Sequence, residues 1–415
     1  MKIQRTLFPQ LKAHLDQPEI TLLVGARQTG KTTLIRALGD SLRERGKRVL
    51  MFNLDVERDF AHFQSQDRLL ARIRLEVGEE RAYVFIDEIQ RKENAGLFLK
   101  GLYDLDLPYK WIVTGSGSLE LKENIHESLL GRKRQFELFP VSLREFIQYR
   151  TGYAFEDRLA DWFSLEPAQA EALLLEYMNF GGYPRLITAT GAEEKQAIIQ
   201  EIYQSYLIRD LGYLLGLEKP QSFTLLLRLI ADRIGQGLNY TDLAQQTGLS
   251  VSTVKRYLYY AEKTFVLRAI SPFFRNVSKE LVKAPQVYFH DLGLRNFSLH
   301  RMGQFTNFTQ TGFVFQNLVF QLLAQKYEAP NLPLKYWRTK GQAEVDFVLE
   351  RGLEPWPVEV KCQKMQEPLI TRSLRSFIQK YKPKEAWVVN LTLDQEVSLD
   401  ETNVRFIPWY QIVLT

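Results

Sequence analysis

The string Gly25-Ala26-Arg27-Gln28-Thr29-Gly30-Lys31-Thr32 constrains this chain more than any other part of it. It fits the pattern GxxxxGK followed by Ser or Thr, in which a glycine-rich loop wraps backbone N–H groups around an anion. The flanks agree with that use. Ile20 to Val24 is an apolar run of strand length, and Leu34, Ile35, Leu38 and Leu42 then recur at helical spacing. A strand, a tight loop and a helix N-terminus in that order form a phosphate cradle, because the loop amides and the positive end of the helix dipole point at one place. Gly25 and Gly30 permit the turn and the close backbone approach. Lys31 reaches the β- and γ-phosphates, and the Thr32 hydroxyl ligates Mg²⁺. The segment from Gly25 through Thr33 is thus the expected ATP-binding run.

Such a site needs an acidic residue at the end of a second buried strand. Tyr83-Val84-Phe85-Ile86 runs directly into Asp87 and Glu88. Asp87 is expected to hold Mg²⁺ through its water shell, and Glu88 to orient and polarise the attacking water. A third strand, Trp111 to Thr114, leads into Gly115-Ser116-Gly117-Ser118. Where an extra strand lies between the two nucleotide-binding strands, a polar residue here senses the γ-phosphate. Thr114 and Ser116 both qualify, and the sequence does not choose between them. Leu130-Gly131-Arg132-Lys133-Arg134 presents three cations. Arg132 is the candidate for a finger reaching a neighbouring subunit's site to stabilise charge during phosphoryl transfer, with a solvated basic turn as the alternative.

The order of GARQTGKTT, YVFIDEIQ, VTGSGSLEL, SLLGRKRQFELFPVSLREF and GGYPRL resembles a family of prokaryotic AAA+-type ATPases with a C-terminal domain of unknown function. The resemblance covers nearly the whole chain. It implies an α/β architecture: a P-loop NTPase core with a parallel sheet, a helical lid, a winged helix, and a C-terminal α/β restriction-endonuclease-like domain. By the same resemblance, the Gly-Gly-x-Pro element at Gly182 and Pro184 would sit beside the adenine, and Arg185 would sense nucleotide state. A plain interhelical turn is the other reading of that element.

Length fits this organisation, since 415 residues suggest about three domains. The expected boundaries are 1–150 for the core, 151–235 for the lid, 236–300 for the winged helix and 301–415 for the C-terminal domain. Apolar residues make up 45% and charged residues 25%, the balance of a soluble globular protein. No apolar run approaches the length of a membrane-spanning helix. The amphipathic N-terminus lacks a signal-peptide block, so a cytoplasmic location is expected and no membrane partner. Cys362 is the only cysteine, which excludes an intramolecular disulfide and a cysteine-based zinc site.

The net charge of +5 makes a polyanion partner plausible, and residues 236–295 carry eight Lys/Arg against four Asp/Glu. Within them, Tyr240-Thr241 opens a short helix, Gly248 allows a sharp turn and Ser250 caps a second helix. Val251, Val254 and Leu258 are expected to face inward, leaving Ser252, Thr253, Lys255 and Arg256 outside. That is a helix-turn-helix pattern with a polar, basic face for phosphates and base edges, and DNA is the expected partner. Lys279 and Lys283 lie between two expected wing strands. The alternative is a module that only packs against protein.

The C-terminal order helix, three strands, helix, strand resembles the PD-(D/E)XK nuclease fold. Alternation puts Glu344 and Asp346 on one strand face, and Glu359 and Lys361 on another. Adjacent pairing would bring Asp346, Glu359 and Lys361 together, with the two carboxylates on Mg²⁺ and Lys361 steadying transition-state charge. Active members often place a Glu on the first helix, where this chain has Gln316. A working nuclease and a retired nuclease fold used for binding are both consistent with that departure. Three functions follow: an ATPase acting on or with DNA, an ATP-gated DNA nuclease, or a signalling or assembly ATPase touching only protein.

Overall fold

The computed structural model describes residues 2–117, 128–207, 220–274, 284–327, 334–351 and 354–414. Strands β1 (Ile20–Gly25), β2 (Arg48–Asn53), β3 (Ala82–Asp87), β4 (Tyr109–Ser116) and β5 (Lys133–Glu137) form one parallel sheet in the order β2-β3-β4-β1-β5. Both faces are covered, which is why β1, β3 and β4 read as unbroken apolar runs. Ile20, Leu22 and Val24 pack with Val84 and Ile86 on one side. Leu23, Tyr83, Phe85 and Ile112 pack on the other with Leu34, Ile35 and Leu38 of the helix Lys31–Arg43 and with Leu11 and Leu15 of the N-terminal segment. The extra strand β4 lies between β1 and β3, so the ends of all three meet at one edge, where open α/β sheets bind ligands.

Residues 151–235, expected as one lid, divide their buried side chains between two cores. Trp162, Phe163, Leu174 and Met178 join Val314, Phe315, Leu318 and Trp409 of the C-terminal region. Tyr183, Leu186, Ile199, Leu226 and Ile230 instead join Leu243, Val254 and Leu258. The divide falls at Gly181-Gly182, although Ile187 beyond it still joins the first core. A Cβ on Gly182 would stand 2.2 Å from Val141 O, and one on Gly181 would stand 2.5 Å from both Asp291 carboxylate oxygens, so neither position tolerates a side chain.

Asn239 caps the helix Tyr240–Thr247, Gly248 follows it at φ 66°, and Ser250 caps the helix Val251–Lys263. β6 (Leu267–Ile270) and β7 (Gln286–Phe289) pair antiparallel behind them. Val254, Tyr257, Leu258 and Ala261 form the buried stripe. Val251, expected inward, is 38% exposed: it shares the stripe's spacing but stands at the first position of the helix, beyond the end of the core.

The C-terminal region begins with the helix Gly312–Tyr327. Then come β8 (Lys335–Arg338), β9 (Glu344–Arg351), β10 (Glu354–Val360), the helix Arg372–Tyr381, β11 (Glu385–Asn390), β12 (Gln395–Leu399) and β13 (Thr402–Pro408). The sheet order is β12-β13-β11-β10-β9-β8. β12 and β13 extend the sheet beyond the strands expected from sequence. β12, a short edge strand with no buried residue, carries a weaker apolar signal than β11, whose burial is nearly continuous, and β13 between them alternates over its first four residues.

Candidate functional site

The loop after β1 is held from several sides. Gly30 adopts φ 96°, Gln28 φ 60°, and a Cβ on Gly25 would stand 2.2 Å from Leu138 O. Thr29 Oγ1 donates to Ala26 O at 2.9 Å. The buried Lys31 ammonium donates to Gly25 O at 3.0 Å and Ala26 O at 2.7 Å, so it is folded into the cradle its own loop makes. A buried ammonium on neutral carbonyls is poised to exchange them for an anion. Thr33 is exposed on the first turn of the helix.

Thr32 Oγ1 donates to Asp87 Oδ2 at 2.7 Å, and Thr114 Oγ1 donates to Asp87 Oδ1. The ends of β3 and β4 and the first turn of the helix Lys31–Arg43 therefore converge on one carboxylate. A hydroxyl and a carboxylate oxygen within reach of one another form the donor set that Mg²⁺ takes, so the residues present fit that ion. Glu88 follows in a left-handed conformation, φ 61° and ψ 42°. Its N–H donates to Thr114 Oγ1 at 3.3 Å. Burial pushes the Glu88 carboxyl above its ordinary range. Lys31 opposes that shift, Asp87 adds to it and Arg27 opposes it. Thr114, not Ser116, touches the acidic pair directly. Ser116 reaches it through Gln90, whose Oε1 accepts from Ser116 N at 3.2 Å and whose amide nitrogen donates to Glu88 Oε2.

Pro184 comes within 3.9 Å of where a Gly30 Cβ would be, and Arg185 Nη1 donates to Gln28 Oε1 at 3.2 Å and to Glu201 Oε1 at 2.8 Å. The Gly-Gly-x-Pro-Arg element thus rests on the loop. Gly182 N donates to the buried Asp291, whose carboxyl is pushed up to about 6 by burial against the pull of backbone N–H groups. Arg132 is turned toward its own chain: Nε donates to Asp104 Oδ1 at 2.6 Å and Nη2 to Oδ2 at 3.3 Å.

Arg5 has no sequence signal and still belongs to the site. It donates to Thr29 O of the loop at 2.9 Å and to Phe139 O at 2.6 Å, and pairs with the buried Glu145 at 3.2 Å. Gln90 was equally silent except for its position two residues past Glu88. A cleft of about 1100 Å³ lies beside Arg5, Phe139 and Lys263 but includes no residue of the loop 25–32; the loop geometry, not that cleft, locates the site.

On the helix Val251–Lys263, Ser252, Lys255, Arg256 and Tyr259 are exposed. Ser252 and Thr253 hydroxyls share hydrogen bonds with Ser250 Oγ at 2.8 Å, and the Lys255 ammonium lies 5.2 Å from the centroid of the Tyr240 ring. Lys279 and Lys283 lie outside the described residues.

The C-terminal residues do assemble. β9 and β10 pair antiparallel, with Phe347 opposite Val358, so Asp346 and Glu359 are next in register. Every carboxylate oxygen of that pair already has a donor. Asp346 Oδ1 accepts from Gln316 Nε2 at 2.9 Å and Oδ2 from Val360 N at 2.7 Å. Glu359 Oε1 pairs with Lys361 Nζ at 2.7 Å, and Oε2 accepts from Thr371 Oγ1 at 2.7 Å. Burial foremost pushes the Asp346 carboxyl up to about 7. A Cβ on Gly235 would stand 2.8 Å from Gln316 Oε1, so the neighbouring unit lies over this cluster. Among the described residues no group of three or more His, Cys, Asp or Glu could hold a metal ion.

A loop, a threonine–aspartate junction and an inserted strand of this kind define a P-loop ATPase domain. Residues 17–147 match the family model described as an AAA domain. Residues 171–304 and 311–412 match two models described as domains of unknown function, DUF8612 and DUF4143. The chain is 30% identical over 380 residues to the uncharacterized protein Rv2008c of Mycobacterium tuberculosis, covering 90% of this chain and 77% of that protein. It belongs to the family that this protein represents. The uncharacterized protein MJ1544 of Methanocaldococcus jannaschii is 23% identical over 439 residues, covering 100% of this chain and 92% of that one. Among solved structures, the Orc1 protein of Aeropyrum pernix in complex with DNA aligns at 12% identity over 72% of this chain and 94% of that chain, with a TM-score of 0.31. No helix among the described residues is long and apolar enough to cross a membrane.

Proposed function

We propose that this chain is a Mg²⁺-dependent AAA+-type ATPase that acts on or with DNA. The observation that carries the first half is the convergence of Thr32 and Thr114 on Asp87 beside a lysine-filled loop. Residues 25–33 bind the phosphates of ATP, with Lys31 exchanging its carbonyl partners for phosphate oxygens. Thr32 and Asp87 hold Mg²⁺, which supplies neutralisation of phosphate charge when bound. Glu88 takes up the proton of the attacking water, and Thr114 or Ser116 reads the γ-phosphate. Pro184 and Arg185 carry nucleotide state to the helical unit that follows.

The second half rests on the exposed face of Ser252, Thr253, Lys255 and Arg256. Residues 236–300 are read as a winged helix, and Lys279 and Lys283, which lie outside the described residues, are read as further DNA contacts. Phosphate contacts of this kind make binding fall steeply with salt. A homo-oligomer in which Arg132 reaches a second copy would have to open the fork to Asp104, an exposed pair that costs little to break.

The C-terminal domain is read as a nuclease-like fold that binds or assembles and does not cleave. Each oxygen of its carboxylates already has a donor, from Gln316, Val360, Lys361 or Thr371, and the neutral Gln316 stands where a metal ligand would be needed. One experiment tests the whole reading: ATP turnover by the parent, Lys31→Ala and Glu88→Gln, with and without duplex, single-stranded and branched DNA at two salt concentrations. Turnover that depends on both residues and responds to DNA less at high salt supports it. Parent-level turnover in Glu88→Gln removes the assigned role of Glu88. Absence of salt-dependent DNA binding favours an ATPase with protein partners only.

A further inference from the structure

Arg5 reaches the loop 25–32 with a side chain that is only 9% exposed. A guanidinium is a planar fork whose N–H groups stand at fixed angles, so holding two corners aims the third. Nε is held by the buried Glu145 carboxylate at 3.2 Å, and Nη2 by Phe139 O at 2.6 Å and Pro140 O at 3.3 Å. Nη1 is thereby delivered to Thr29 O at 2.9 Å. Glu145 is itself fixed, because it also accepts from Thr6 N at 2.6 Å, Thr6 Oγ1 at 3.0 Å and Ser142 N at 2.8 Å. Val141, within the same stretch, donates its N–H to Gly182 O at 2.7 Å. Arg5 therefore stands on the body that also carries the glycine pair.

The carbonyl it holds belongs to the peptide joining Thr29 to Gly30. That unit is planar and trans, so its C=O and its N–H point in opposite directions. With the carbonyl turned to Arg5, the Gly30 N–H is turned away from it. Gly30 adopts φ 96°, and a glycine beside a peptide lowers the cost of flipping it. The loop thus divides its carbonyls, with Gly25 O and Ala26 O on the Lys31 ammonium and Thr29 O on Arg5. The division matters for an anion, since a carbonyl aimed at a phosphate repels it and an N–H attracts it.

We infer that Arg5 is a positioning residue for nucleotide: it holds the Thr29–Gly30 peptide with the carbonyl on its own side and the N–H available to a phosphate oxygen before nucleotide arrives. This role rests on the reading of residues 25–33 as the phosphate-binding run. A cation on the carbonyl also polarises the peptide and strengthens its N–H as a donor. Arg5 acts through that peptide, so its effect falls equally on the bound nucleotide and on the transition state.

The test uses the full chain as parent, Arg5→Lys, Arg5→Met and Lys31→Ala. Calorimetry with ADP and Mg²⁺ gives Kd, ATP turnover gives kcat and KM, and hydrogen exchange on the nucleotide-free protein reads the loop directly. Arg5→Lys keeps a cation for Glu145 and loses the fork. Thermal melting shows which variants are folded, and Arg5→Lys decides the matter if Arg5→Met is not. The expected result is a Kd for ADP and a KM for ATP raised about fivefold to twentyfold in both Arg5 variants, the scale of one charge-assisted hydrogen bond, with kcat changed less than about twofold. Exchange over residues 25–33 becomes faster while that over β4 is unchanged. A Kd for ADP within about twofold of the parent's in Arg5→Lys, with Lys31→Ala no longer taking up ADP, overturns the role of Arg5 and leaves the reading of the loop intact. A fall in kcat with KM unchanged does the same. Parent-level ADP uptake by Lys31→Ala overturns the reading of the loop and the role of Arg5 with it.

Discussion

Two pairs of carboxylates are brought together by the sheets of this molecule, Asp87 with Glu88 and Asp346 with Glu359, and they differ in what surrounds them. Asp87 is met by two threonine hydroxyls, Thr32 and Thr114, and opens toward a loop that buries a lysine on neutral carbonyls. Hydroxyls rotate and can serve as donors or ligands, so these partners are replaceable. Asp346 and Glu359 are met by a glutamine amide, a strand N–H, a lysine and a capping threonine. The strand N–H of Val360 can turn nowhere else without breaking the local backbone, and the Gln316 amide is held in place by a second acceptor, Tyr288 Oη at 3.0 Å. A carboxylate whose partners can be exchanged, as at Asp87, is suited to a reactive site; one held by a strand N–H and an anchored amide, as at Asp346, is suited to structure.

The largest expected effect follows from that contrast. Lys31→Ala and Asp87→Asn should each lower ATP turnover by about a hundredfold or more, the loss of an electrostatic contact made to the reacting phosphates. Asp346→Asn with Glu359→Gln should leave turnover within about twofold of the parent. A steady-state assay on the four proteins decides it, and a large loss in the C-terminal double variant would dissolve the distinction. The same assay carries a pH signature. Because burial raises the Glu88 carboxyl, the acid limb of turnover should lie above the usual carboxylate range and disappear with Glu88→Gln.

A third buried carboxylate sharpens the comparison. Asp291 accepts from Gly182 N at 2.7 Å and Leu294 N at 2.7 Å, and it holds the glycine pair at the divide between the two helical cores. Gly293 N is a third donor, and all three are backbone groups, so it belongs with the fixed kind. Asp291→Ala leaves them without an acceptor in a dry site and should cost about 2–4 kcal/mol of stability, read by denaturant unfolding. A loss below about 1 kcal/mol would mean that water replaces the carboxylate and that saturation is a poor guide to structural role.

Legibility in the sequence followed the same line. β1, β3 and β4 were readable because a doubly covered parallel sheet produces unbroken apolar runs, and Gly25 and Gly30 mark a loop with little freedom to be anything else. Asp87 and Glu88 were readable because they end such a run. Arg5 was not, since its four partners come together only when the N-terminal segment crosses the loop and the stretch Phe139–Glu145. The division of residues 151–235 was equally hidden: periodicity finds helices but does not say which core each helix faces. For Val251 the spacing was right and the depth was not, because the stripe outruns the core by one turn.

The smallest expected effect concerns the titration of Asp346, whose carboxyl burial raises from 3.8 to about 7. Between those values the unfolded chain carries the ionised group and the folded chain the protonated one, so the folded state binds more protons. Stability contributed by this group is therefore full below about pH 4 and is lost as pH rises to about 7. Asp346→Asn cannot titrate. Relative to the parent, its melting temperature should improve by about 2 °C or more as pH rises from about 5 to about 8, after any constant offset from the altered hydrogen bonds. Adding Mn²⁺ without nucleotide gives the decisive arm. A saturated carboxylate pair predicts the same Mn²⁺ response in parent and variant, because any ion bound at Asp87 contributes equally to both. A Mn²⁺-dependent rise near pH 8 in the parent alone would mean that Asp346 exchanges Gln316 and Val360 for a metal, and the two carboxylate pairs would then be of one kind.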